Sequence, residues 1–284
     1  MGGAGEDKIR EIRSRFAGML ARADEQVNLA EAALLIAAEE YLFLDIEAYL
    51  GRIEQMAQRV KDRVHLELEP DRVIEELNRH LFEEEGFRGN SEDYYDPKNS
   101  FLNEVINRRM GIPITLSILY METAWRLDLP MVGVGLPGHF IVKYKTADRE
   151  ILIDPYHRGS VLSEEDCQRT VNQIYKGKIT YHRGLLTSIP KRVILARVLN
   201  NLKGTYLRRK DFPRALAVVE RLMVIHPDSP TELRDRGLIH GEMQKTSQAV
   251  ADLRRYLEVV EEAEDRNAIT EHLRQLQMRQ TSLN

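Results

Sequence analysis

Two short segments carry the residues most able to do chemistry: Pro137-Gly138-His139-Phe140 and Ile153-Asp154-Pro155. An imidazole exchanges a proton near neutral pH, and a carboxylate beside it fixes its tautomer and raises its basicity. The apolar runs 140–142 and 151–153 read as strands, and the polar stretch Thr146 to Arg149 reads as the turn of an antiparallel hairpin. A turn of two or four residues pairs position 139 with 154 or with 156. Either register sets His139 and Asp154 on one face, directly opposite or diagonal, and a one-residue slip would part them. Standing alone, such a pair is more often structural than catalytic.

Other candidates have less support. Gly133-Val134-Gly135-Leu136-Pro137-Gly138 spells G-x-G-x-x-G, but a dinucleotide fingerprint needs a helix after it, so that phosphate meets helix N–H groups. Here a strand follows and Pro137 interrupts the turn, so the glycines are expected to serve a bend between strands. The eight histidines, at 65, 80, 139, 157, 182, 226, 240 and 272, form no ligand pair at helical spacing with a carboxylate. No metal site and no cofactor are expected from them. The single cysteine, Cys167, excludes an internal disulfide and suits a reducing compartment. It is expected to be a small, partly buried side chain. G-x-S-x-G and P-loop patterns do not occur.

The elements that must position these groups are mostly helical. Ile9, Ile12, Phe16 and Leu20 recur at helical spacing, Asn28 with Glu31 caps a second helix, Asp45 caps a third, and Pro70-Asp71 opens a fourth that ends before Gly86. Residues 86–99 read as an ordered loop in which Tyr94 and Tyr95 pack. A short helix over 99–109 is expected to stop at Gly111. Pro113 then stands at the first position of a helix reaching Leu127, where its missing N–H is no loss. That helix is apolar nearly all round, so it is expected to be buried. Weaker strands are expected at 131–135 and 178–184, and Ser163 with Asp166 starts another helix. Past residue 190 the pattern is helical. Leu199, Tyr206, Ala215 and Val219 recur 34 positions later as Leu233, His240, Ala249 and Leu253, the period of the tetratricopeptide repeat. Residues 266–280 fit the capping helix that stacked repeats need.

Hydrophobic residues make up 43% and charged residues 30%, which argues for a folded rather than a disordered chain. A net charge of −4 gives no global field toward nucleic acid or anionic membrane, and no apolar run is long enough to span a bilayer. The N-terminus lacks the apolar core of a signal peptide, and Glu6 stands where a myristoylation motif wants Ser or Thr. These features lead to the expectation of a cytoplasmic protein without nucleic-acid or membrane partners.

Taken in order, Asn99-Ser100-Phe101-Leu102-Asn103, Arg108-Arg109-Met110-Gly111-Ile112-Pro113, Pro137-Gly138-His139-Phe140 and Ile153-Asp154-Pro155 resemble the transglutaminase-like cysteine-peptidase superfamily. The likeness is nearest to its bacterial Sir-B-one-like group with C-terminal tetratricopeptide repeats. The resemblance implies an α+β fold. Residues 1–98 would be the helical N-terminal part, 99–189 a papain-like core with a small antiparallel sheet, and 190–284 the repeats with a capping helix. In catalytic members a cysteine at the start of the central helix attacks a carbonyl, and a histidine and an aspartate on neighbouring strands complete the triad. The helix N-terminus stabilises the thiolate and the imidazole takes its proton. His139 and Asp154 match the last two positions. Pro113 falls in the nucleophile slot, and proline cannot be a nucleophile.

Thr115, two residues on, is the better substitute hydroxyl and Ser117 the lesser. Tyr95, Asn99, Asn103 and Arg109 lie in the subgroup motif and are candidates to line the old cleft, against a plainer role in holding loop backbone and, for Arg109, a buried ion pair. Three functions follow as expectations. The first is a non-catalytic binding or scaffold protein that keeps the His–Asp pair and holds a protein or peptide through residues 190–284. The second is a hydrolase or transferase on amide or ester bonds using His139–Asp154 without a cysteine, and the third an adaptor acting through the repeats alone.

Overall fold

The computed structural model describes residues 2–64 and 69–281; His65 lies outside them. Contacts divide the chain into two compact units, Met1–Val198 and Leu199–Asn284.

The first unit opens with four helices: α1 (Gly2–Leu20), α2 (Leu29–Ala38), α3 (Ile46–Lys61) and α4 (Pro70–Asn78). Their starts follow the sequence. Asn28 Oδ1 accepts the Glu31 N–H at 3.0 Å and Asp45 Oδ1 accepts the Ala48 N–H at 3.0 Å, each satisfying a donor the first helical turn leaves unpaired. Beyond α4 the chain widens into π-type turns over Arg79–Glu84. Next come β1 (Arg88–Gly89), α5 (Leu102–Arg108), β2 (Met110–Gly111) and α6 (Pro113–Trp125), with β1 and β2 paired in parallel, Gly89 opposite Gly111.

Helix α5 does not end where its glycine suggested. Arg109 takes the left-handed conformation (φ 55°) that terminates it, and Gly111 is needed for closeness instead: a Cβ there would stand 2.8 Å from Thr115 Oγ1. Pro113 is the first residue of α6, as its chemistry requires, and every residue from Pro113 to Ala124 is buried. The helix stops at Trp125, two residues short of Leu127. Inside it, Glu122 Oε1 accepts the Ala30 N–H at 2.8 Å at the start of α2, while Oε2 pairs with Arg126 at 2.7 Å. The buried carboxylate thus has a helix N-terminus and a guanidinium to offset its desolvation.

Five strands make the sheet: β3 (Met131–Val134), β4 (Ile141–Lys145), β5 (Glu150–Asp154), β6 (Ser160–Leu162) and, after helix α7 (Glu164–Tyr175), β7 (Ser188–Ile189). Their order is β6-β5-β4-β3-β7, with antiparallel neighbours throughout. Helix α6 packs on β3 and β4. The strand expected at 178–184 is absent. Lys178 N–H is given to Tyr175, and the carbonyls of His182 and Gly184 accept from Leu185 and Thr187 in a 3-10 turn, so these groups are not offered to a ladder, and pairing with β3 begins only at Ser188.

The division between the units falls inside α8 (Lys191–Arg208); α9 (Phe212–Ile225), α10 (Pro230–Glu242), α11 (Thr246–Val259) and α12 (Arg266–Thr281) follow. Helices α9 and α11 each have 14 residues and begin 34 positions apart, and Ala215 and Ala249 are wholly buried, as close helix approach requires. Charged groups tie the helices together: Lys203 bonds Glu232 and Asp235, both at 2.8 Å, and Arg236 grips Asp252 with two bonds of 2.7 and 2.6 Å. Gly237 lets α10 lie against α11, since a Cβ there would come within 2.8 Å of Leu253. Gly237→Val is expected to cost about 2 kcal/mol through overpacking, read as a lowered thermal midpoint by circular dichroism. Among the described residues no helix is long and apolar enough to cross a membrane.

Candidate functional site

The hairpin adopts the four-residue turn. Lys145 pairs with Glu150 across Thr146–Arg149, so position 139 corresponds to 156 and Asp154 lies diagonal to His139. His139 itself precedes β4. It is held by a bend in which Gly138 has φ 69°, its N–H donates to Leu136 O at 3.1 Å, and Arg197 donates to its carbonyl at 2.9 Å. Of the glycines in the G-x-G-x-x-G stretch, Gly138 serves the strand-to-strand bend, whereas Gly133 lies within β3.

His139 Nε2 stands 2.7 Å from Asp154 Oδ2, with the two side chains 7% and 4% exposed. Asp154 closes β5 and caps the 3-10 turn Pro155–His157, its Oδ1 accepting the N–H groups of Tyr156 (3.0 Å) and His157 (3.3 Å). That turn brings in a residue the sequence reading had not joined to the pair. His157 Nδ1 also reaches Asp154 Oδ2, at 2.7 Å, from a ring 65% exposed. Burial pushes the Asp154 carboxyl up, but the bond and charge of His139, then those of His157, outweigh it and hold the group below the ordinary aspartate range. An ionised carboxylate only accepts, so each imidazole presents N–H to it. In a neutral His139 the basic atom is then Nδ1.

Tyr156 connects this cluster to the start of α6. Its ring meets His139 edge-on at 6.1 Å and lies over Gly89, where a Cβ would stand 2.4 Å from it. Gly89 pairs with Gly111, two residues before Pro113, and the turn Pro155–His157 packs on α6. Burial raises the Tyr156 phenol, with the Asp154 charge adding to it. Arg197, assigned from the sequence only to the helical tail, is depressed by burial, partly offset by Tyr94 and Tyr175.

Of the other candidates, Tyr95 is half exposed and packs edge-on against Tyr94, whose phenol is raised by burial and by its neighbours Tyr156 and Tyr95. Asn99 is fully buried and engaged: its amide donates to Asp93 O at 2.7 Å and its Oδ1 accepts from Asn90 at 3.0 Å. Thr115 is likewise occupied, donating to Asn99 O at 2.7 Å and accepting the Ile112 N–H at 3.2 Å. These bonds fix the approach to Pro113 and take up the Thr115 hydroxyl. Asn103 is buried and borders a separate hollow with Tyr41, Phe43 and Tyr49. The buried ion pair expected of Arg109 is corrected: it pairs with Glu85 at 2.8 Å while 45% exposed, because the left-handed turn lifts it outward.

Cys167 is wholly buried, with its thiol pushed up to about 11 by burial and by the charges of Asp166 and Asp154. It is therefore expected to resist alkylation at pH 8 in the native chain and to react once the chain is unfolded, as peptide mapping will read. Metal-ligand spacing, sought on helices, was invisible in the sequence. Yet His139, Asp154 and His157 offer ligand atoms all within 4.8 Å of one another. The usable signal was the i, i+3 spacing of Asp154 and His157 across a proline turn.

Comparison with known proteins agrees with this architecture. The transglutaminase-like superfamily matches residues 47–200, and the tetratricopeptide repeat matches 202–274. A UPF0162 protein of Xylella fastidiosa strain 9a5c is 35% identical over 254 residues, 88% of this chain and 90% of that protein. A UPF0162 protein of Vibrio cholerae is 30% identical over 65% of this chain and 68% of its own length. Protein SirB1 of Salmonella typhimurium is 27% identical over 79% of this chain and 84% of its own. No solved structure matches. With the family matched over more than half its length, a tetratricopeptide region after it and such relatives along most of it, the chain belongs to the transglutaminase-like superfamily, beside the UPF0162 and SirB1 proteins.

Proposed function

We propose that this protein is a non-catalytic binding or scaffold protein of the transglutaminase-like type, with Pro113 in the position of the nucleophile and the His139–Asp154 pair retained to hold a ligand. The observation that carries the reading is a buried, unreactive proline at the first position of α6, on which the turn bearing Asp154's partners packs. A side chain without a nucleophilic atom cannot form an acyl-enzyme. Thr115 does not offer itself instead, since its hydroxyl already serves Ile112 and Asn99. Tyr95 packs on Tyr94, Asn99 acts by holding loop backbone, and Asn103 and Arg109 have contacts elsewhere. The tetratricopeptide region, residues 190–284, would hold a protein or peptide partner, and a cytoplasmic location suits the lone buried thiol.

The full chain is expected to turn over none of a panel of peptide, isopeptide and ester substrates. Turnover that His139→Ala abolishes would replace this reading with the second one, favoured by His139 Nδ1 as a base able to activate water. Cross-linking in the native cell tests the partner, which should attach within residues 190–284; partners attached only elsewhere would overturn that half.

A further inference from the structure

We infer that His139, Asp154 and His157 form a binding site for one divalent first-row transition cation, of which Zn²⁺ is the natural probe. The inference rests on reading the cleft as a binding site. Substrate turnover tests that reading and metal titration tests this one, so either can fail alone.

Two imidazoles and one carboxylate converge rather than merely crowd. His139 Nε2 and His157 Nδ1 each stand 2.7 Å from the same oxygen, Asp154 Oδ2, and all three ligand atoms lie within 4.8 Å of one another. Zinc bonds of about 2.0–2.1 Å at tetrahedral angles set donors roughly 3.3 Å apart. For a cation to replace the two N–H···O bonds, each imidazole has to withdraw from Oδ2 by about 0.6 Å, and the two nitrogens, which lie within 4.8 Å of one another, have to come to the same spacing. In His157 a tautomer change suffices, its proton moving to the exposed Nε2 while Nδ1 ligates; in His139 the proton moves to Nδ1.

The surroundings suit a ligand set. Asp154 Oδ1 is fixed by two backbone N–H groups, which aim Oδ2 while leaving it to bind, the kind of outer support metal carboxylates need. His139 is held by its own N–H and by Arg197 on its carbonyl. His157 is exposed and sits on a turn, so it can adjust. Two nitrogens and one oxygen favour zinc, iron, cobalt or nickel over magnesium or calcium. Three protein donors leave at least one position open toward solvent on the His157 side, as in an exchangeable site rather than a closed structural one.

The test uses the full chain without a polyhistidine tag, stripped of metal with a chelator. Equilibrium dialysis should find one Zn²⁺ per chain, and Co²⁺ should show the visible absorption of a low-coordinate complex. His157→Gln, at an exposed position where folding is safe, should weaken Zn²⁺ by about 100-fold, at least as much as loss of an outer partner costs. Asp154→Asn should do so as well, and His182→Gln, exposed and outside the ligand group, should change nothing. Absence of stoichiometric Zn²⁺ in the unaltered chain, or binding that His157→Gln leaves intact, overturns the proposal.

Discussion

Pro113→Cys is expected to give a chain whose new thiol is alkylated about tenfold faster at pH 7 than an ordinary exposed cysteine, and only while His139 is present. A free thiol with pKa about 8.5 is a few per cent thiolate at pH 7, whereas a helix N-terminus and a neighbouring imidazole bring thiols to about 7 or below. The gain in thiolate is partly offset by the lower nucleophilicity of the more acidic thiol, which leaves about a tenfold net effect. His139→Ala in the same chain should return the rate to the ordinary value. The background is favourable, because the native thiol of Cys167 is buried and un-ionised at that pH. Losing the proline at a first helical position should cost less than about 1 kcal/mol, so the fold survives the exchange. Peptide mapping of iodoacetamide adducts reads the result. A thiol at position 113 with ordinary reactivity, indifferent to His139, would mean that Pro113 does not occupy the nucleophile slot.

The second large effect is on stability. Asp154→Ala should destabilise the first unit by about 3 kcal/mol, the cost of removing one partner from a buried, hydrogen-bonded charge constellation. The carboxylate accepts from His139, from His157 and from two backbone N–H groups, and the substitution removes all four bonds at once, leaving the buried His139 without its partner. Asp154→Asn keeps an oxygen for the backbone donors but presents an N–H₂ to the imidazoles, forcing each ring to offer its lone pair. A loss of about 1–2 kcal/mol is expected there. Trp125, the only tryptophan and part of α6, reports urea unfolding of this unit by fluorescence. A change below about 1 kcal/mol for Asp154→Ala would show that the cluster contributes little to holding the hairpin and the turn.

Much of the frame was legible because it is local. Asn28, Asp45 and Ser163 cap helices with their own side chains, Pro113 starts a helix for want of an N–H, and a 34-residue recurrence of small and large residues marks stacked hairpins. The hairpin left two registers open, and the four-residue turn that settled them keeps His139 and Asp154 on one face. Errors fell where a local cue competed with distant contact. Gly111 looked like a helix stop, yet it is required by Thr115, and Arg109 bears the left-handed turn. Residues 178–184 looked extended, but the His182 and Gly184 carbonyls are used within a 3-10 turn.

By itself the sequence determined the repeat tail and the helix starts, since each depends on residue type and short-range periodicity; the α+β class was implied by the family resemblance, and the His139–Asp154 pairing was conditional on the hairpin register. Only the tertiary structure decided that His157 turns onto the same carboxylate oxygen, that Tyr156 lies over Gly89 beside the start of α6, that Arg197 clamps the His139 bend, and that Thr115 has no hydroxyl to spare. Those outcomes depend on which segments meet across the fold, and hydrogen-bond satisfaction between residues far apart in the chain leaves no periodic trace in the order of the amino acids.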